Sequence, residues 1–143
     1  MKLVIQRVKS ASVLAVKSKK VAGKVENGLF VLLGVKKGDT KENADLLAEK
    51  IIKLRVMADE NEKMNLTAEN FLVVSQFTLY ANTTGGNRPS FIEAEDPDKA
   101  KEIYEYFIGK LKEKGVKVDT GSFGNYMEIN TELDGPVTII LEN

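Results

Sequence analysis

Phe71-Leu72-Val73-Val74 runs directly into Ser75-Gln76-Phe77-Thr78. An apolar run of this length bounded by polar groups reads as a buried strand, and its polar end as the point where the strand opens into a pocket. Hydroxyls, an amide and backbone N–H groups at such a point are the parts of a site. The chain has no histidine and no cysteine. Whatever chemistry occurs there is done without imidazole or thiolate, so a Ser-His-Asp triad, an ordinary zinc site and a disulfide framework are all excluded.

Outward from this strand the pattern is mixed. Leu3–Val8 and Ser12–Val16 read as strands from their β-branched content. Val21–Val25, Asn27-Gly28 and Leu29–Leu33 read as a hairpin on an Asn-Gly turn, with an all-apolar second arm buried on both faces. Asp39 with Glu42 three residues on is a capping-box-like start, after which Ala44, Leu47, Ile51 and Leu54 line one helical face. Asp96-Pro97 starts a second helix, with proline at its first position. Its apolar face is Ala100, Ile103, Tyr104, Phe107 and Leu111, and it ends near Gly115. Val116–Asp119, Tyr126–Ile129 and Val137–Leu141 read as closing strands. Two helices serving many strands point to an α/β fold: a barrel-like, three-layer α/β/β sandwich, with the two helices covering one side of two packed β layers.

The 143 residues fit one domain, spanning 1–143, and the composition is that of a folded globular chain, 43% hydrophobic and 29% charged. The balance of 21 basic and 21 acidic residues argues against a strongly basic protein that coats nucleic acid, leaving only local basic patches. The longest apolar stretch, Leu29–Val35, is far below the roughly 20 residues that span a bilayer, and the apolar start is too short for a signal peptide. A soluble cytoplasmic protein is expected.

Neither a Gly-x-x-x-x-Gly-Lys-Ser/Thr loop nor a Gly-x-Gly-x-x-Gly fingerprint is present. Gly34-Val35-Lys36-Lys37-Gly38-Asp39-Thr40 has the wrong spacing for a phosphate loop and reads as a tight turn before a helix. Asp59, Glu60 and Glu62 are capable of holding magnesium but read more simply as a solvated turn. Taken alone, Ser75–Thr78 reads as a strand finishing with hydroxyls bonded to its own backbone. Asp134-Gly135-Pro136-Val137-Thr138 alone reads as an ordinary turn, built from the expected residue types.

Five stretches taken together carry more. They are Gln6-Arg7-Val8 with Ala11-Ser12-Val13; Ser75-Gln76-Phe77-Thr78-Leu79; Arg88-Pro89-Ser90-Phe91; Thr120-Gly121-Ser122-Phe123-Gly124 with Met127; and Gly135-Pro136-Val137-Thr138. In this order, and over the whole chain length, they resemble the D-aminoacyl-tRNA deacylase family. Two positions depart from it: Leu133 stands where an asparagine usually precedes Asp-Gly-Pro, and Asn125 where a small residue usually follows Phe-Gly.

The resemblance implies an enzyme that hydrolyses the ester joining a D-amino acid, or glycine mischarged on alanine tRNA, to the 3′ end of tRNA, as chiral proofreading in translation. It implies a homodimer in which the Gly135-Pro136 motif of one subunit, with a cis peptide, enters the pocket of the other and presents backbone carbonyls to the substrate. Ser75, Gln76, Phe77 and Thr78 would form the catalytic wall, binding the terminal adenosine and positioning the ester. Thr78 is the tempting nucleophile, yet nothing in the sequence supplies an adjacent base, which leaves it a positioning group. Arg7 matches the position that braces the Gly-Pro motif, or else is an exposed strand arginine. Phe123 and Met127 border the pocket or pack in the core, and Val137 and Thr138 complete the Gly-Pro motif. Arg88 contacts phosphate or anchors its loop. Lys17, Lys19, Lys20, Lys36 and Lys37 contact the acceptor stem or form a solvated face. No metal, cofactor, membrane or DNA is implied. A deacylase of relaxed chirality and a non-catalytic RNA-binding module on the same scaffold are the alternatives.

Overall fold

The computed structural model describes residues Met1–Asn143. In chain order the elements are β1 (Lys2–Ala15), β2 (Lys20–Gly34), α1 (Lys41–Ile52), β3 (Arg55–Ala58), β4 (Met64–Thr67), β5 (Asn70–Ser75), a 3-10 helix (Phe77–Tyr80), α2 (Pro97–Glu113), β6 (Lys117–Thr120) and β7 (Met127–Glu142). Five strands form one mixed sheet in the order β6-β5-β2-β1-β7, and β3 with β4 forms a separate ribbon. β2 runs parallel to β5, and β5 parallel to β6, while β1 is antiparallel to both β2 and β7.

The helices lie on one face of this sheet, as their apolar spacing predicts. Ala44, Leu47 and Ile51 of α1, with Ile103, Tyr104, Phe107 and Leu111 of α2, share a core with Leu3, Ile5, Leu29, Val31, Phe71 and Val73. On the other face of β2 and β5, Phe30, Leu72 and Val74 pack against Val8, Ala11, Val13 and Val25 in a second cluster. Both clusters draw on β1, so this strand changes layer along its length. The change falls at irregularities in the β1–β7 ladder between Gln6 and Ser10, where the side-chain alternation shifts by one. The sheet curls over far enough that a Cβ on Gly23 of β2 would stand 2.4 Å from the Thr120 carbonyl oxygen of β6. Helices therefore cover one side of a sheet whose far half folds back as a further layer, so β5 is enclosed from both faces.

Several local expectations are revised. Asn27-Gly28 makes no hairpin: β2 runs straight through it, paired on both sides with β1 (Glu26 opposite Ser10, Gly28 opposite Val8). Asn27 takes the left-handed φ of 47° inside the strand. A Cβ on Gly28 would lie 2.1 Å from the Asn70 carbonyl oxygen. The pair thus serves close approach of β5 and a kink, and the actual β1–β2 turn is Val16–Lys19. Leu3–Val8 and Ser12–Val16 are likewise one strand, as are the two closing segments within β7. The cap of α1 is Thr40, whose N–H donates to Asn43 Oδ1 at 2.9 Å. Asp39 is instead buried, accepting from the Met1 ammonium at 2.8 Å and from the Lys36 N–H at 2.6 Å. The β3–β4 ribbon went unforeseen; Asp59 closes its turn by accepting from the N–H groups of Asn61 and Lys63.

Candidate active site

The end of β5 is built from the core outward. Phe71, Leu72, Val73 and Val74 are fully buried, which leaves this strand end no freedom to shift without opening both clusters. The ladder with β2 continues to Ser75 opposite Leu33, and the Gln76 N–H donates to the Leu33 carbonyl at 2.7 Å. The backbone then turns into the 3-10 helix. Its Leu79 N–H donates to Gln76, while the N–H groups of Phe77 and Thr78 have no acceptor in the chain. Unsatisfied first-turn donors of this kind are suited to a developing negative charge. The Gln76 amide donates to the Thr78 hydroxyl, which has no other side-chain partner. Phe77 is 56% exposed, with its ring edge-on to Phe91 at 5.0 Å. Phe91 is brought there by a bridge between Asn82 and Ser90 that closes the loop carrying Arg88.

The stretch from Gly121 to Met127 is clamped against the same strand end. The Gly121 N–H donates to the Val73 carbonyl at 3.0 Å. A Cβ at Gly121 would meet Met127 Sδ at 3.0 Å and a Val74 methyl at 3.1 Å, so glycine is what lets Met127 close over Val74. Phe123 packs on Tyr104 at 5.6 Å, and the buried Tyr104 hydroxyl donates to the Val73 carbonyl at 2.8 Å. Burial pushes that phenol well above the usual tyrosine range, so it remains a donor. The Asn125 amide donates to Ser122 Oγ at 2.8 Å and fixes the turn. Ser75–Thr78, Phe123 and Met127 thus gather at one end of β5.

Gly135 and Pro136 lie elsewhere. Val8 is opposite Leu133 and Gln6 opposite Thr138, so Asp134–Val137 loops out beside Arg7. The Gly135–Pro136 peptide is cis, and both residues are exposed, whereas Val137 tucks back toward the main core. Arg7 holds the base of the loop: Nε lies 3.1 Å from the Asp134 carbonyl oxygen and 2.9 Å from its Oδ2, and a terminal nitrogen donates to the Val56 carbonyl at 2.9 Å. Its side chain is only 11% exposed, which removes the reading as a free surface arginine. Arg7 stands opposite Leu29 and Ser75 opposite Leu33, with β2 and β1 between β5 and β7. Within one chain no hydrogen bond or ion pair joins Asp134–Val137 to Ser75–Thr78; the loop's side-chain bonds go to Arg7.

A family model described as D-Tyr-tRNA(Tyr) deacylase matches residues 4–142. The chain belongs to the D-aminoacyl-tRNA deacylase family. A D-aminoacyl-tRNA deacylase of Thermosipho africanus is 52% identical over 147 aligned residues, covering 100% of this chain and 97% of the relative. One of Aquifex aeolicus is 50% identical and covers 100% and 98%. Among solved structures, one titled c-Myc DNA Unwinding Element Binding Protein superposes with a TM-score of 0.91 at 35% identity, covering 100% of this chain and 99% of that one. A probable eukaryotic D-amino acid tRNA deacylase has a TM-score of 0.80 at 15% identity, covering 98% and 97%; at that identity the likeness shows the fold. As a D-aminoacyl-tRNA deacylase, the protein is a hydrolase of the aminoacyl-tRNA ester bond.

For a deacylase of this kind two groups at the site had no signal in sequence. Tyr104 reads as one more apolar residue of α2, yet its hydroxyl secures Val73. Asp134 reads as a turn residue, yet it is the one Arg7 grips. No helix is long and apolar enough to cross a membrane.

Proposed function

We propose that the enzyme hydrolyses D-aminoacyl-tRNA, and glycyl-tRNA, in a pocket made by two copies of the chain, as a cytoplasmic proofreading step in translation. Ser75–Thr78 of one copy, bordered by Phe123 and Met127, receives the terminal adenosine and the ester. Gly135-Pro136 of the second copy closes the pocket. The observation that supports this reading is that Gly135 and Pro136 are exposed on a loop braced by Arg7, with no hydrogen bond to Ser75–Thr78 of the same chain. β7 is also a long sheet edge bearing exposed Ile129, Leu133 and Ile140, a surface suited to pairing with another chain.

Selectivity then rests on backbone. Carbonyl oxygens of Gly135 and Pro136 face the α-carbon; a D-residue turns its side chain to solvent, and an L-residue would drive its side chain into the carbonyls. Exclusion by a clash accepts many D-residues and needs no fitted side-chain pocket. Glycine has no side chain to exclude. Arg7 holds the loop through Asp134, and Val137 and Thr138 tie it back into β7.

Catalysis is positioning and charge stabilisation. The free N–H groups of Phe77 and Thr78 are suited to the oxyanion that forms when water attacks the ester carbonyl. Thr78 accepts a hydrogen bond from Gln76 and has no base beside it, so it orients rather than attacks. The 2′-hydroxyl of the terminal ribose helps orient or activate the water. Incubation with D-tyrosyl-, L-tyrosyl- and glycyl-tRNA tests the proposal: the D and glycyl esters are cleaved and the L ester survives. Comparable cleavage of the L ester, or tRNA binding without turnover, would overturn it.

A further inference from the structure

We propose that the groove beside the 3-10 helix, between Lys2, Lys36 and the Asn82–Thr84 turn, holds a phosphodiester of the substrate's 3′ strand. The proposal rests on the deacylase reading above and extends it beyond the ester-binding pocket.

A chain with equal numbers of basic and acidic residues has no overall field to draw in RNA, so a tRNA must be held by local arrays of cations and donors. This groove is such an array. It has a volume of about 300 Å³ and is lined by Lys2, Lys36, Tyr80, Asn82, Thr84 and Glu93, among others. Tyr80 closes the 3-10 helix that begins with Phe77 and Thr78, so the groove starts where the ester pocket ends. A strand whose terminal adenosine sits at Phe77 has only to continue along one short helix to enter it.

The tyrosine ring forms the floor. The Lys2 ammonium lies 5.1 Å from the ring centre and the Lys36 ammonium 6.0 Å, and both lysines line the groove. Each also pairs with a carboxylate, Lys2 with Glu142 and Lys36 with Glu93, both at 3.2 Å. Such half-exposed pairs contribute little to stability, and the lysines exchange partners readily when a phosphate arrives. The two glutamates hold the groove electrically neutral when empty and compete with RNA for the lysines. The Tyr80 hydroxyl is buried and finds no acceptor in the chain. Burial, and then Asp39, Glu142 and Glu93 nearby, raise its pKa well above the usual value, so it stays protonated as an unmet donor.

The competition between glutamate and phosphate gives the proposal a sign that a purely structural role lacks. The test compares kcat/KM for D-tyrosyl-tRNA with kcat/KM for D-tyrosyl-adenosine, which has the ester and no phosphodiester. In Lys2→Ala/Lys36→Ala the ratio of the two falls about tenfold, and the slope of log affinity against log salt becomes shallower by about 0.7 for each lysine removed. In Glu93→Gln/Glu142→Gln, which frees both lysines, the ratio rises severalfold. If the lysine pair leaves ratio and salt slope unmoved, or the glutamine pair lowers the ratio, the groove holds no phosphodiester. A wild-type chain that turns over neither substrate fails at the deacylase reading itself and takes the groove with it; wild-type turnover of both, with an unmoved ratio, overturns the groove alone.

Discussion

The end of β5 and the middle of β7 both carry candidate site residues, but they are held in opposite ways. Ser75–Thr78 grows out of four fully buried residues and inherits its position from two packed clusters. Asp134–Val137 hangs from an edge strand, loses its ladder partners opposite Arg7 and is gripped by that one side chain. The first is a wall fixed by hydrophobic packing, suited to placing an ester within a fraction of an ångström of its donors. The second is a backbone surface held by hydrogen bonds and turned outward, suited to entering something else. On the reading proposed above, chemistry resides at the first and selection at the second.

The largest expected effect separates the substrate's contribution from the protein's. A D-tyrosyl-tRNA ending in 2′-deoxyadenosine should be cleaved at least about 100-fold more slowly, the scale of a lost proton-transfer group. Cleavage at the full rate would show that the β5 wall does the chemistry unaided. Next comes Gly135→Ala. Gly135 has φ of 140°, and a Cβ there would stand 2.5 Å from the Val137 nitrogen, so the loop must move, at a cost on the order of 1–3 kcal/mol. Cleavage of L-tyrosyl-tRNA relative to D-tyrosyl-tRNA should rise about tenfold, close to what a single lost methylene-sized clash supports. An unchanged ratio would remove Gly135 from the gate.

Arg7→Ala should shift the same ratio less and lower stability by about 1–3 kcal/mol, since it deletes charge-assisted bonds to Asp134 and Val56. Thermal melting together with the D/L ratio checks both; a stability loss with no change in selectivity would make Arg7 structural only. Thr78→Ala should have the smallest effect, lowering kcat less than about tenfold, because the hydroxyl orients without attacking. A loss on the order of 1,000-fold would restore Thr78 as nucleophile and place a base that the structure does not contain.

How much of this was legible in sequence follows the kind of force involved. The β5 wall was, because a buried strand must be written in apolar residues and its polar exit stands out against them. The faces of α1 and α2 were legible for the same reason. Asn27-Gly28 misled because left-handed backbone is needed both in a two-residue hairpin and at a kink pressed against a neighbouring strand, and composition does not distinguish them. Asp39 resembled a cap, but its buried bond to the Met1 ammonium depends on where the amino terminus arrives. The approach of Gly23 to Thr120 is a long-range contact between β2 and β6, which no local pattern records. For the candidate site, Gly135, Pro136 and Arg7 were nameable only through family resemblance; the grip of Arg7 on Asp134 emerged only from the fold.

The central claim, that the loop of one chain closes the pocket of another, is directly measurable. A chain whose pocket is filled by Ser75→Trp keeps its own Gly135 loop but cleaves nothing, while a Gly135→Ala chain keeps its pocket and cleaves both D and L esters. When the Gly135→Ala chain is coexpressed with a growing excess of the Ser75→Trp chain, its pocket should receive an intact loop from the partner. D-tyrosyl-tRNA cleavage per Gly135→Ala chain should persist while L-tyrosyl-tRNA cleavage falls toward zero. L-ester cleavage per Gly135→Ala chain that stays constant at every ratio would mean that each chain closes its own pocket, and would contradict the account.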